Sequence, residues 1–242
     1  MAEPRIEAVL IDLDDTIFPQ SDWLRRAWRH VARVAGHQGV DAARLFRALE
    51  NVASRGSDRG RIIDRALDDI GAVDVAVGPL VDAFRAFRTG PLEAYPGVRE
   101  AMRRLGGRVR TAIVTDGDPA VQRSKIRSLG VEELVDLIVI SDEFGREHRK
   151  PDPYALLFAA AKLGIDPRRC VYIGDRPDKD VVAAQAAGMR SIRVVLGEYE
   201  WAPDIPPAWM RVRDLPAAVD AIGPLLSAAA ATEDPARPTA GR

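Results

Sequence analysis

Short apolar runs alternate along much of the chain with longer stretches in which apolar residues return every three or four positions. Five runs, at residues 8–13, 109–115, 137–141, 170–173 and 191–196, are mostly rich in Val and Ile and predict buried strands. The stretches between the later runs, at 97–105, 119–129, 153–163 and 178–187, predict helices, several of which stop at a glycine. Strands alternating with helices of about a dozen residues imply right-handed crossovers. The expected fold class is therefore α/β, a doubly wound parallel sheet covered on both faces.

The alternation breaks once. Between the first and second strands, residues 18–90 carry only helical periodicity. Trp23, Leu24, Ala27, Trp28, Val31 and Val34 recur at helical spacing, and further helical segments follow at 42–53, 61–70 and 79–88. This predicts a helical bundle inserted at the mouth of a core made of residues 1–17 and 91–226. The tail at 227–242, dominated by Ala, Pro, Thr and Gly, is expected to be disordered.

With 242 residues, 47% apolar and 29% charged, the chain has ordinary globular composition and is long enough for one large domain with an insertion. Lys+Arg number 35 against 36 Asp+Glu, so no overall basic field points to nucleic acid or to an anionic membrane. Residues 18–90 alone hold 12 Arg and 9 Asp+Glu, a local excess of about three positive charges. The N-terminal residues 1–12 carry Glu3, Arg5 and Glu7 and resemble neither a signal peptide nor a membrane span. The single cysteine, Cys170, permits neither a disulfide within the chain nor a zinc cluster, so the chain reads as intracellular and a cytoplasmic location is expected. Only Lys125, Lys150, Lys162 and Lys179 are lysines, which makes arginine the default cation and a lysine at a polar crossroads informative.

Ligands of open parallel sheets bind outside the carboxyl ends of the strands. There the first strand runs into Asp12, Asp14 and Asp15, the second into Thr115, Asp116 and Gly117, the third into Ser141 and Asp142, and the fourth into Gly174 and Asp175. Clustered carboxylates repel one another unless a cation neutralises them. A hard divalent ion, most simply Mg²⁺, suits oxygen ligands. His30 and His37 lie in the insert and His148 stands alone, so no nitrogen-rich site competes.

Asp12-Leu13-Asp14-Asp15-Thr16 resembles the D-x-D-x-T signature of the haloacid dehalogenase superfamily, in its phosphatase branch. Three further signatures follow in order: Thr115 in Val-Thr-Asp-Gly, Lys150 in Arg-Lys-Pro-Asp-Pro, and Asp175 with Asp180 in Gly-Asp-Arg-Pro-Asp-Lys-Asp. The likeness runs from residue 8 to 196. It implies a Rossmann-like core, with the helical insert as the family's cap. The approach to Lys150 through residues 145–149 is slightly longer than usual in that family.

The resemblance implies a role for each motif residue. Asp12 would be the nucleophile, forming an aspartyl-phosphate. Asp14, two residues on in extended chain and so on the same side, would be the general acid and then the base. Thr115 and the backbone N–H groups of Asp116 and Gly117 would cradle the phosphoryl group, and Lys150 would offset charge on nucleophile and phosphate. Asp12, Asp175 and the backbone carbonyl of Asp14 would hold Mg²⁺, while Asp180 would bind through water or orient the shell. Taken singly, each also has a plainer reading. Asp12 could end a strand before a turn, Asp14 could cap a helix or turn with Asp15 the better cap of the two, and Lys150 could be a solvated surface lysine.

The reaction so implied is Mg²⁺-dependent hydrolysis of a small phosphorylated metabolite. Rival readings are a 2-haloacid dehalogenase, which needs no metal, a phosphomutase, and a phosphate-sensing or partner-binding protein without catalysis. Residues 55–60, between the second and third helices of the insert, fall where the resemblance places a specificity loop. Arg55 and Arg59 there flank glycines, and guanidinium forks suit carboxylate or phosphate. A substrate with negative charge beyond its scissile phosphate is therefore expected; the plainer reading is a solvated loop.

Overall fold

The computed structural model describes residues 5–57, 59–72 and 74–226, so the expectation for the tail at 227–242 lies outside the described residues. Six parallel strands form one sheet in the order β3-β2-β1-β4-β5-β6. They are β1 (Ala8–Ile11), β2 (Arg110–Thr115), β3 (Leu137–Ile140), β4 (Cys170–Gly174), β5 (Arg190–Val194) and β6 (Met210–Val212). Side chains alternate between the faces as the strand period requires. Val9, Ile11, Ile113, Val171 and Ile173 pack on one side under α5 (Val98–Gly106), α6 (Pro119–Leu129) and α9 (Leu215–Ile222). Ala8, Leu10, Ala112, Val114 and Tyr172 pack on the other under α7 (Tyr154–Leu163) and α8 (Val182–Ala186). Helices cover both faces, so the sheet is doubly wound.

Two elements escape the periodicity. β6 has only three residues, none fully buried, at the sheet edge, so it carries no apolar run. α9 packs against α5 and has Pro216 in its first turn, where the missing N–H costs nothing. A third difference is informative. The helix expected at 178–187 begins as a π-helical turn, Pro177–Val181, before α8. The N–H groups of Asp180 and Val181 both reach the carbonyl of Arg176, at 2.9 and 3.2 Å, while Asp180 Oδ2 accepts from the N–H of Arg176 at 2.9 Å. Such widened turns concentrate at functional sites.

Within residues 18–90 lie α1 (Gln20–Gly36), α2 (Ala42–Ala53), α3 (Ile62–Ile70) and α4 (Val77–Ala86). α4 starts two residues ahead of the expected 79–88, because Pro79 fits a first turn. The four helices share an apolar cluster that includes Trp28, Val31, Leu45, Leu49, Ile63, Leu67 and Leu80. Trp23 and Ala27 of α1 instead join the cluster of the sheet.

The start of α6 fixes the loop after β2. Asp118 accepts from the N–H groups of Ala120 and Val121 at 3.0 and 3.2 Å, and Pro119 occupies the first helical position. Asp118→Ala is expected to cost about 1 kcal/mol, read as a lower urea midpoint with an unchanged slope.

Candidate active site

β1 lies between β2 and β4, so the segments leaving all three strands meet at one edge. The first turns sharply. The N–H of Asp12 donates to the carbonyl of Ile173 at 2.8 Å, and Asp15 adopts a left-handed conformation with φ of 54°. Asp15 is held there from both sides: Oδ1 accepts from the N–H of Gln20 at 2.9 Å and Oδ2 from that of Glu198 at 3.1 Å. It thereby caps α1, whose own N-cap, Pro19, offers no side-chain acceptor.

Lys150 is the hub. Its side chain is only 4% exposed, and Nζ donates to Asp12 Oδ1 at 2.6 Å, Asp180 Oδ1 at 2.7 Å and the Tyr172 hydroxyl at 2.8 Å. Tyr172 in turn donates to the carbonyl of Val114 at 3.0 Å, tying the hub to β2 and β4. Asp12, Asp175 and Asp180 are all buried, and ligand oxygens from the three lie within 4.8 Å of one another. Asp180 fits because residue 174 is glycine; a Cβ there would collide with the Asp180 carboxylate.

Electrostatics set the chemistry of this cluster. Burial, opposed by Lys150 and reinforced by Asp180, raises the pKa of Asp12 to about 7. Burial and the charges of Asp180, Asp12 and Asp15 push Asp175 well above the carboxylate range. Three carboxylates and one ammonium leave two negative charges in excess, which one divalent cation would balance. The donors are all hard oxygens, as Mg²⁺ prefers, so the residues present fit that ion. Asp180 has both oxygens engaged, by Lys150 and by the backbone of Arg176, which suits a ligand acting at one remove.

A second group gathers around Asp14. Lys125 Nζ reaches both of its oxygens, at 2.8 and 3.0 Å. Gln122 Nε2 donates to Asp14 Oδ2 at 3.0 Å and to Thr115 Oγ1 at 2.8 Å. Thr115 therefore accepts from Gln122 and keeps its own hydroxyl proton to donate. Gly117, at φ of +130°, lets the backbone pass the Gln122 side chain, which a Cβ would meet at 3.3 Å. Its N–H donates to Asp142 Oδ1 at 3.3 Å. Asp142 is gripped by both arms of Arg149, at 2.6 Å each, within the lengthened approach to Lys150. Asp116 turns its carboxylate to structure, accepting from Ser141 Oγ at 2.7 Å and from the N–H of Lys150 at 3.2 Å.

A cleft of about 560 Å³ opens beside Asp15 and Tyr95, between α1, the end of α2 and residues 197–200. Acids dominate its charge: Asp15, Asp22, Glu50, Glu198 and Glu200 line it, with Arg25 as their cation. Arg55 and Arg59 are exposed and do not line it; their loop reaches the rim through Ser57, whose N–H donates to Glu198 at 3.0 Å. Sequence reasoning left Tyr172, Gln122 and Lys125 without roles. Only Lys125 carried a signal, its rarity among arginines.

The family model for haloacid dehalogenase-like hydrolases matches residues 6–188. The chain belongs to that family. It is 35% identical over 205 residues to a glyceraldehyde 3-phosphate phosphatase of Methanopyrus kandleri, covering 81% of this chain and 86% of that one. It is 31% identical over 246 aligned positions to a phosphoserine phosphatase of Thermus thermophilus, covering 87% and 96%. A haloacid dehalogenase-family hydrolase from Bacillus subtilis, bound to magnesium, shares the fold with a TM-score of 0.69 at 19% identity, covering 90% of this chain and 99% of that one. This haloacid dehalogenase-like hydrolase is a phosphatase, an enzyme that cleaves phosphate monoesters. No helix among its described residues is long and apolar enough to cross a membrane.

The raised carboxylates make a pH prediction for this hydrolase. Asp12 and Asp175 hold their protons more tightly folded than unfolded, so they weaken the metal-free fold as pH rises from about 4, their unfolded range, through the folded value of Asp12, about 7. In chelating buffer the protein should melt lower at about pH 7.5 than at about pH 5.5. Asp175→Asn should flatten the difference and raise the melting temperature at the higher pH. Scanning fluorimetry at the two pH values checks both.

Proposed function

We propose that this phosphatase is Mg²⁺-dependent and hydrolyses a small phosphorylated metabolite through an aspartyl-phosphate on Asp12, with residues 18–90 as a cap over a core of residues 1–17 and 91–226. The observation that carries the reading is the buried set of Asp12, Asp175 and Asp180 around Lys150, two charges short of neutrality, at the sheet edge that also presents Thr115. Asp12, Asp175 and the backbone carbonyl of Asp14 would hold Mg²⁺, with Asp180 orienting the shell. When bound, the ion supplies positive charge against the carboxylates and the phosphoryl oxygens.

Lys150 engages Asp12 at Oδ1, which leaves Oδ2 to attack phosphorus. As the new O–P bond forms, the ester O–P bond breaks and Asp14 gives its proton to the departing alkoxide. Asp14, now ionised, takes a proton from the water that attacks the phosphoryl group. The Asp12 O–P bond then breaks and inorganic phosphate leaves. Thr115 donates its hydroxyl to a phosphoryl oxygen, assisted by the backbone N–H of Asp116 and by that of Gly117 once it turns from its 3.3 Å bond to Asp142. Lys150 offsets the charge that builds on the transferred group. Asp14 and the pair Asp175 and Asp180 favour this chemistry over dehalogenation, which needs neither an acid at residue 14 nor a metal.

Asp12→Asn, nearly isosteric but a poor nucleophile, should reduce turnover below about 1% of wild type with an unchanged circular dichroism spectrum. Chelation should silence the enzyme, Mg²⁺ or Mn²⁺ should restore it, and Ca²⁺, which takes more ligands at longer distances, should not. Asp175→Ala should weaken the Mg²⁺ dependence more than Asp180→Ala. Full activity after exhaustive chelation would sink the metal assignment.

Substrate choice is assigned to the cleft. Arg25, paired with Glu50 at 3.0 Å, is its cation, and we place there the contact to charge beyond the scissile phosphate. Against a panel of phosphorylated metabolites, Arg25→Ala should raise KM for the preferred one while leaving p-nitrophenyl phosphate nearly unchanged. Arg55→Ala with Arg59→Ala should do so less. A larger effect from the double variant would return specificity to the 55–60 loop.

A further inference from the structure

The site holds a second buried lysine that the reaction outlined above does not use. Lys125 is 4% exposed, yet it lies on α6, away from the Asp12, Asp175 and Asp180 cluster. An ammonium taken from water needs full compensation. Here the compensation comes from Asp14, whose oxygens lie 2.8 and 3.0 Å from Nζ, and from two aromatic rings. The Trp23 ring centroid is 4.6 Å from Nζ and that of Phe18 is 5.9 Å. One turn earlier on the same helix, Gln122 donates to Asp14 Oδ2 at 3.0 Å. Two side chains spaced three apart on a helix share a face, so a single rigid element supplies three hydrogen bonds to one carboxylate.

That arrangement exceeds what charge pairing alone requires. Contacts from Lys125 to both oxygens and from Gln122 to one of them fix the rotation and tilt of the Asp14 carboxyl as well as its place. Acid–base catalysis is sensitive to such geometry, because the proton must lie within hydrogen-bond reach of the reacting oxygen. Gln122 also holds Thr115 Oγ1 at 2.8 Å, so the same helix sets the spacing between the acid–base group and a phosphoryl donor. The rings that wall Lys125 come from the stretch leading into the helical insert and from α1 itself. Through Lys125, the packing of α1 bears on Asp14.

We propose that Lys125 is a positioning residue for Asp14, assisted by Gln122, and that it acts on the two proton transfers rather than on phosphate binding or nucleophilic attack. The inference rests on the assignment of Asp14 as acid and base and of Asp12 as nucleophile. It distinguishes steps. With p-nitrophenyl phosphate the leaving group departs without a proton, so only breakdown of the aspartyl-phosphate needs Asp14. With an alkyl phosphate both halves of the reaction need it.

Rapid-quench and stopped-flow kinetics on Lys125→Met, an unbranched apolar side chain that can still pack against Trp23 and Phe18, test this. With p-nitrophenyl phosphate the first turnover should keep nearly its wild-type rate, followed by a steady state slowed by roughly 10- to 1,000-fold, giving a burst close to one p-nitrophenolate per site. With an alkyl phosphate the first turnover should itself slow by a similar factor, without a burst, and KM should change little. In an Asp14→Asn background, Lys125→Met should add no further loss. Lys125→Gln, which keeps a polar end but cannot bridge both oxygens, should give the same pattern and serves if the methionine variant fails to fold. Equal slowing of the first turnover for both substrates, wild-type kinetics in both variants, or additive loss in the Asp14→Asn background would overturn the proposal. Wild-type enzyme with Mg²⁺ and Asp12→Asn run alongside separate the two failures. An inert wild type or an active Asp12→Asn overturns the reading of the site and the inference with it; a normal wild type with any of the three contrary patterns overturns the inference alone.

Discussion

The structure around the sheet edge follows from one electrostatic imbalance: three buried carboxylates share a single ammonium. Lys150 is held by Asp12, Asp180 and Tyr172, and removing it would leave two of those acids buried beside a third with no counter-charge. Such a cluster can form only where covalent and packing constraints overrule repulsion. The strand order supplies them, since β1, β2 and β4 are adjacent and their apolar residues fix where each carboxyl end falls. Gly174 and the widened turn at Pro177–Val181 bring Asp180 the last distance. Folding energy from the sheet is thus set against charge repulsion at its edge, and a buried cluster of three acids around one ammonium is the result.

The sheet and most helices were legible because buried parallel strands read as uninterrupted apolar runs and their helices as three-and-four periodicity. What stayed hidden was too short or too mixed to carry a period. β6 has three residues and no buried one, and the turn at Pro177–Val181 is set by where a side chain bonds, which no periodicity records. The strand-end acids were legible for a similar reason: β1 and β4 announce where they stop. Tyr172 was not, because a phenol inside an apolar strand reads as core until its hydroxyl is seen to meet Lys150.

Helix positions hid the other contributors. Gln122 and Lys125 fall where α6 turns toward the loop after β1, more than a hundred residues away in sequence. Nothing local links them to Asp14. Trp23 illustrates the same limit. Its helical spacing places it in the insert, yet it packs with the sheet's cluster and beneath the ammonium that holds the Asp14 carboxylate. Burial alone does not separate a packing residue from one that shapes a site.

Segment charge proves a poor guide to the field at a cleft. The insert carries about three positive charges in excess, yet five acids and Arg25 line the space it helps enclose, and Arg25 is partnered by Glu50. An amphipathic helix can keep its guanidinium groups in water while presenting other side chains inward, so its net charge describes solubility rather than recognition. Acids at the cleft also have a structural reason to be there. Asp15 caps α1 and binds the backbone at Glu198, and Glu198 accepts from the N–H of Ser57, so two of the five lock the insert onto the loop after β5. The negative lining therefore belongs partly to closure of the site. The field in the cleft is what remains after those carboxylates have been taken up by the backbone.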